Sequence, residues 1–105
     1  MPGYSTVCPL DEFPPESSRL FQYDGRDIAI FRTGDEFRAI DDTCLHAGGP
    51  LHEGSILDGK VICPWHHWEF DLEDGFCSLN PVYKLDCFEV RVRDGLVEIR
   101  LPEDR

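Results

Sequence analysis

Turn dipeptides recur along this chain at intervals that leave little room for long helices. Asp24-Gly25, Gly34-Asp35, Asp58-Gly59, Asp74-Gly75 and Asp94-Gly95 punctuate the sequence. Most are Asp-Gly, the pair that tolerates the positive φ angles of tight hairpins. Between them lie short runs of strand formers: 19–23, 27–32, 36–40, 60–63, 69–72, 88–93 and 96–101. Val90-Arg91-Val92-Arg93 and Val97-Glu98-Ile99-Arg100 alternate in character, the period of a strand with one buried face. No stretch has the periodicity of a helix of about ten residues. The pattern predicts an all-β chain, an antiparallel β-sandwich or small barrel.

Two regions break the rhythm. The first 18 residues carry Pro2, Pro9, Pro14 and Pro15 and are expected to hold one short strand around Tyr4 to Cys8, then irregular chain. Asp42 to Pro50 reads as a loop containing Gly48 and Gly49. At 105 residues the chain is expected to be a single domain, 1–105, with a modest core.

Charge excludes some partners. Ten basic against 21 acidic residues give a net charge of −11, which disfavours nucleic acid and anionic membrane surfaces. The longest strongly apolar run is Ile28 to Phe31, far short of the roughly 18 residues of a membrane span. The N-terminus has no basic segment followed by an apolar one, so no export signal is read. Cys8, Cys44, Cys63, Cys77 and Cys87 are odd in number and irregularly spaced. They point to a reducing cytoplasm without disulfides.

The chemistry-bearing residues are Cys44-Leu45-His46 and Cys63-Pro64-Trp65-His66, a CxH separated by 16 residues from a CxxH. Each pair places one thiolate and one imidazole on a strand-linked loop, and the segment from Leu51 to Ile62 reads as a hairpin. Two sulfur and two nitrogen donors suit tetrahedral zinc or an iron–sulfur centre. Structural zinc sites usually pair Cys with Cys in one knuckle. The mixed loops here suit two irons, with Cys44 and Cys63 on one and His46 and His66 on the other. A zinc-stabilised interaction module remains the alternative for the same four donors.

With these residues in view, the chain resembles the Rieske iron–sulfur family from about Tyr4 to Leu101. The likeness extends to His46-Ala47-Gly48-Gly49-Pro50-Leu51, Glu53-Gly54, Phe70-Asp71, Asp74-Gly75 and a proline at Pro81. It implies one [2Fe–2S] cluster, held by Cys44, His46, Cys63 and His66 in a smaller cluster-binding subdomain over about 42–82. Asn80-Pro81-Val82 stands where the family has a proline-containing third loop over the cluster. The resemblance further implies an electron-transfer component, a ferredoxin that is not a catalyst alone. Its partners would be a flavin-containing reductase and a terminal oxidoreductase such as a ring-hydroxylating oxygenase. The alternative is the small Rieske subunit of an assimilatory NAD(P)H nitrite reductase, partnered by its large subunit. In isolation a monomer is expected. A mononuclear-iron oxygenase is excluded, because only His52 and His67 remain after the ligands.

Departures from the family carry expectations too. High-potential relatives have two further cysteines at the positions of Gly49 and Trp65, so no bridge between the loops is expected. They also place a serine and a tyrosine hydroxyl at the positions of Trp68 and Phe70. Losing hydrogen bonds to cluster sulfur lowers the potential within the roughly −150 to +300 mV Rieske range. His67 replaces the usual glycine and is not taken as the ligand, because CxxH selects His66. His52 reads as a surface or turn histidine. Cys8, Cys77 and Cys87 read as buried apolar residues. Trp65, His67 and Trp68, with Leu45 and Pro81, are expected around the exposed edge as cover or docking surface. Asp41, Asp42, Glu53 and Glu69 are expected as an acidic ring for a basic partner.

Overall fold

The computed structural model describes residues 3–23, 25–42, 50–65, 67–78, 80 and 82–100. Among them the chain forms strands and short 3₁₀ turns, in the order β1 (Tyr4–Pro9), a turn at Leu10–Glu12, β2 (Ser17–Tyr23), β3 (Arg26–Thr33), β4 (Glu36–Asp41), a turn at Leu51–Glu53, β5 (Ser55–Leu57), β6 (Lys60–Ile62), β7 (Glu69–Asp71), β8 (Cys87–Arg93) and β9 (Leu96–Arg100). The strands arrange as a six-stranded sheet, β1-β9-β8-β4-β3-β2, and a three-stranded sheet, β5-β6-β7. All pairings are antiparallel. No described helix is long and apolar enough to cross a membrane.

The dipeptide turns close the hairpins as their chemistry requires. Asp58 and Gly59 have φ of 53° and 77°, and Asp94 and Gly95 have 54° and 76°. Both central residues thus lie in the left-handed region that a primed two-residue hairpin needs. They join β5 to β6 and β8 to β9 in register, Leu57 opposite Lys60 and Arg93 opposite Leu96. Asp74-Gly75 instead turns the chain inside the connection from β7 to β8, where Gly75 (φ 83°) packs against the Leu85 carbonyl.

Strand β3 explains the architecture. Ile28, Ala29, Ile30 and Phe31 are all buried, so this strand is covered on both faces. Period-two alternation sends Ile28 and Ile30 into one core with Phe88, Val97 and Ile99, around which the larger sheet curls into a nearly closed barrel. Ala29 and Phe31 point the other way, into a second core with Leu51, Val61, Cys63 and Phe70. Strand β4 splits likewise, Ala39 to the first core and Ile40 to the second. The small sheet is therefore held on the outside of the β3–β4 wall, each buried Ile, Leu or Phe contributing roughly 1.5–3 kcal/mol.

Two expectations need correction. Cys8 and Cys77 are buried, but Cys87 is exposed. Phe88 faces the barrel interior, so its neighbour Cys87 is turned to the outer face, beside Gly75. The stretch after β1 is also less irregular than its prolines suggest. It contains the Leu10–Glu12 turn, and Phe13 is buried in the barrel core with its ring edge-on to Phe37 at 5.3 Å.

Candidate metal centre

Three connections adjoin residues of the second core: one after β4, one between β6 and β7, and one between β7 and β8. The first departs from β4 at Asp42 and returns at Pro50. The second runs from Cys63 to Trp68 between β6 and β7. The third follows β7 to reach β8. Leu51, in the turn directly after the first connection, and Cys63 and Cys77, from the second and third, share the second buried cluster. Of the four candidate donors, Cys63 is described. Cys44, His46 and His66 lie outside the described residues, as do Leu45, Gly49 and Pro81.

Cys63 is fully buried and its thiol is free. It begins a tight turn: its amide donates to the Trp68 carbonyl at 2.7 Å, and its carbonyl accepts from the His67 amide at 3.0 Å. These bonds extend the β6–β7 pairing of Ile62 with Glu69 by one step, fixing the thiol-bearing residue at the base of its loop. His67 sits in this turn with φ 62°, the left-handed region that glycine enters at least cost. The chain thus holds this histidine in a backbone shape suited to glycine.

The neck of the first loop is closed by a side chain that sequence reading placed elsewhere. Asp42 is 5% exposed and does not stand in an acidic ring. Its carbonyl accepts from the Leu51 amide at 2.7 Å, and its Oδ1 accepts from the His52 amide at 2.7 Å and lies 2.9 Å from His52 Nδ1. Asp41 is likewise engaged, paired with Arg26 at 3.2 Å, while Arg26 also reaches Asp86 at 2.7 Å. Glu53 remains exposed and Glu69 half-buried. His52 lies in the Leu51–Glu53 turn, one of the two places expected for it, with its ring held against Asp42. The signal for this pair, an acid and a histidine bracketing a glycine-rich loop, was in the sequence without a reason to join them.

The third connection is pinned by the Cys77 amide on the Tyr83 carbonyl at 2.9 Å and the Ser78 amide on the Glu69 carbonyl at 2.9 Å. Asn80 caps its tip, its side-chain oxygen accepting from the Val82 amide at 3.1 Å. The Tyr83 ring lies 5.4 Å from the ring of Trp68, which is half-buried against the second core. Trp65, Val82 and Tyr83 are exposed. Trp68 is therefore mainly cover, and Trp65 is the outward-facing aromatic of the second loop. Phe70 is fully buried and offers no hydroxyl.

The donor chemistry fits a [2Fe–2S] group. A free, fully buried thiol begins the CxxH loop, and the CxH loop springs from a neighbouring, clamped neck. Comparison with known proteins agrees. Residues 3–89 match the family model of the Rieske [2Fe-2S] domain. The chain is 33% identical over 93 residues to the anthranilate 1,2-dioxygenase ferredoxin subunit of Burkholderia cepacia, covering 88% of this chain and 86% of that one. Its fold is similar to a chain in the complex of reduced oxygenase and oxidised ferredoxin in carbazole 1,9a-dioxygenase, with TM-score 0.84, 31% identity and 92% of each chain covered. It is also similar to a putative NADH-dependent nitrite reductase small subunit from Mycobacterium tuberculosis, with TM-score 0.91, 22% identity and 99% of each covered, a likeness of fold alone.

Proposed function

We propose that this chain, which belongs to the Rieske [2Fe–2S] family, serves as a free-standing ferredoxin in which Cys44, His46, Cys63 and His66 hold the cluster. It carries one electron at a time between redox proteins. In this reading Cys44 and Cys63 bind one iron and His46 and His66 the other, within a cluster-binding part spanning about 42–82 of a single domain. When bound, a cluster with two thiolates and two neutral imidazoles passes from neutral to singly negative on reduction, an easier change than at an all-cysteine site.

The chain's own residues then have distinct tasks. Cys63 is held at the base of its loop by the bonds to Trp68 and His67. Trp68 and Tyr83 shield the site from water, and Trp65 with Val82 offers an exposed apolar surface for the small, brief contacts typical of electron-transfer partners. The donor is read as a flavin-containing reductase and the acceptor as a ring-hydroxylating oxygenase, with the protein a cytoplasmic monomer between encounters. The observation that carries this reading is the 33% identity, over nearly its whole length, to a dioxygenase ferredoxin subunit.

The test combines spectroscopy and mutation. Purified protein should absorb in the visible and become paramagnetic on one-electron reduction, whereas a zinc protein would be colourless. Alanine at Cys44, His46, Cys63 or His66 should abolish the colour, and serine at Cys8, Cys77 or Cys87 should keep it. Retained colour in Cys44→Ser with loss in Cys77→Ser would overturn the ligand set. The second reading is the small subunit of a nitrite reductase, a class whose Mycobacterium tuberculosis example shares the fold. A stable stoichiometric complex with a sirohaem-containing large subunit would favour it, and reversible reduction by a free reductase would favour the first.

A further inference from the structure

We propose that Asp42 and His52 are positioning residues: their pairing clasps the neck of the first loop and thereby sets how Cys44 and His46 are presented. The inference rests on the ligand assignment above and adds to it a residue pair that touches no iron.

The chain leaves β4 at Asp42 and comes back at Leu51 and His52, and three contacts join these points. Two are backbone amides donating to Asp42, from Leu51 to its carbonyl and from His52 to its Oδ1, each at 2.7 Å. The third is the His52 ring, with Nδ1 2.9 Å from the same Oδ1. With Nδ1–H donating, Oδ1 takes both the chain amide and the ring, so the one oxygen holds the ring orientation together with the chain return. Both halves of the clasp are tied to the barrel. The Asp42 amide donates to the Asp27 carbonyl of β3 at 3.0 Å, and Ser18 Oγ of β2 donates to the His52 carbonyl at 2.5 Å.

Loop closure alone would need little of this, since the Leu51 amide and Asp42 carbonyl already bridge the neck. The further cost of burying a carboxylate is offset only if its bonds are made. Between the two residues the sequence includes Gly48, Gly49 and both donors of the CxH pair. Glycines give a loop extra freedom to lose, so a fixed neck is what would restrict the donors. On the solvent side His52 Nε2 lies 3.8 Å from Glu53 Oε2, too long for a hydrogen bond.

The holoprotein tests this directly. Visible colour is followed in excess ferrous-iron chelator at fixed temperature, and the dithionite-reduced protein is examined by electron paramagnetic resonance. His52→Ala should bleach roughly tenfold faster and show a broadened or shifted resonance, as should Asp42→Ala. His52→Asn, whose side-chain amide nitrogen can stand where Nδ1 stood, should restore both readouts. Val97→Ala, in the barrel core, should lower the melting temperature and leave bleaching and resonance as in the parent. A colourless His52→Ala beside a loaded His52→Asn supports the clasp in the same sense. Parent-like bleaching and resonance in His52→Ala would refute it, as would failure of His52→Asn to restore either, or equal acceleration by Val97→Ala. If Cys44→Ser is colourless while His52→Ala behaves as parent, only the clasp falls. If Cys44→Ser keeps the parent spectrum, the ligand assignment falls and takes the clasp with it.

Discussion

Gly54→Ala isolates the contact between the end of the Leu51–Glu53 turn and the strand that leads into Cys63. Gly54 has ordinary extended backbone, φ −79° and ψ 171°, so alanine faces no conformational penalty there. Space is the obstacle. A Cβ at this position would lie 2.2 Å from the Ile62 carbonyl oxygen and 3.2 Å from that of Leu51, where ordinary contact begins at 3.4 Å. The Ile62 carbonyl must therefore retreat by about 1.2 Å. It belongs to the residue paired with Ser55 across β5 and β6 and directly precedes Cys63, so no side-chain rotation can relieve the clash. Overpacking of this kind costs typically 1–3 kcal/mol, and a backbone obstacle puts this case near about 3 kcal/mol. At roughly 4–8 °C per kcal/mol for a domain of this size, the holoprotein should melt about 12–24 °C lower. Gly95→Ala is the matched comparison. Its φ of 76° is unfavourable for alanine but its surroundings are open, so it should cost only about 1 kcal/mol. Circular-dichroism melts at one scan rate, with visible absorbance recorded in parallel, give the order. If Gly54→Ala melts no lower than Gly95→Ala, Gly54 and β6 are not in the backbone contact described.

Three other outcomes are expected. His67→Gly relieves a left-handed histidine (φ 62°) and should stabilise the protein by roughly 0.5–1 kcal/mol after the greater unfolded-state freedom of glycine is offset; a lowered melting temperature would show that the imidazole makes a contact worth more than the backbone strain. Desolvation pushes the thiol of buried Cys8 above its ordinary value of 9.0, opposed by Arg19, and does the same to Cys87, an exposed residue whose sulfur packs beside Gly75, opposed by Lys84. The unfolded chain then loses these protons first, so their contribution to stability is intact below that value and declines as pH rises through and beyond it. Melting temperature against alkaline pH should fall less steeply in Cys8→Ala/Cys87→Ala than in the parent, and parallel curves would refute the shift. Voltammetry should place the midpoint in the lower half of the roughly −150 to +300 mV Rieske range, since Trp68 and Phe70 supply no hydroxyl to cluster sulfur; a value near the top would defeat that reasoning.

What could be read from the sequence was whatever short-range chemistry decides. Asp58-Gly59 and Asp94-Gly95 specified their hairpins because the φ demand is met within two residues. The run from Ile28 to Phe31 was visible as apolar, yet its division between two cores was not. That division depends on a second sheet arriving on the outer face of β3, which no local pattern encodes. Cys87 failed for the related reason that a cysteine's side of a strand follows from its neighbour's claim on the core, here that of Phe88. At the candidate centre, the spacing of the four candidate donors was legible because it lies within two short motifs, whereas the contact of Asp42 with His52 was not. An aspartate beside three other acids near a metal loop looks like surface charge until β4 carries it inside and the chain returns a histidine to it at 2.9 Å. The same chain return sets Gly54 against Ile62. The glycine of the Glu53-Gly54 pair thus has a steric cause: a side chain there would displace the residue that leads into Cys63.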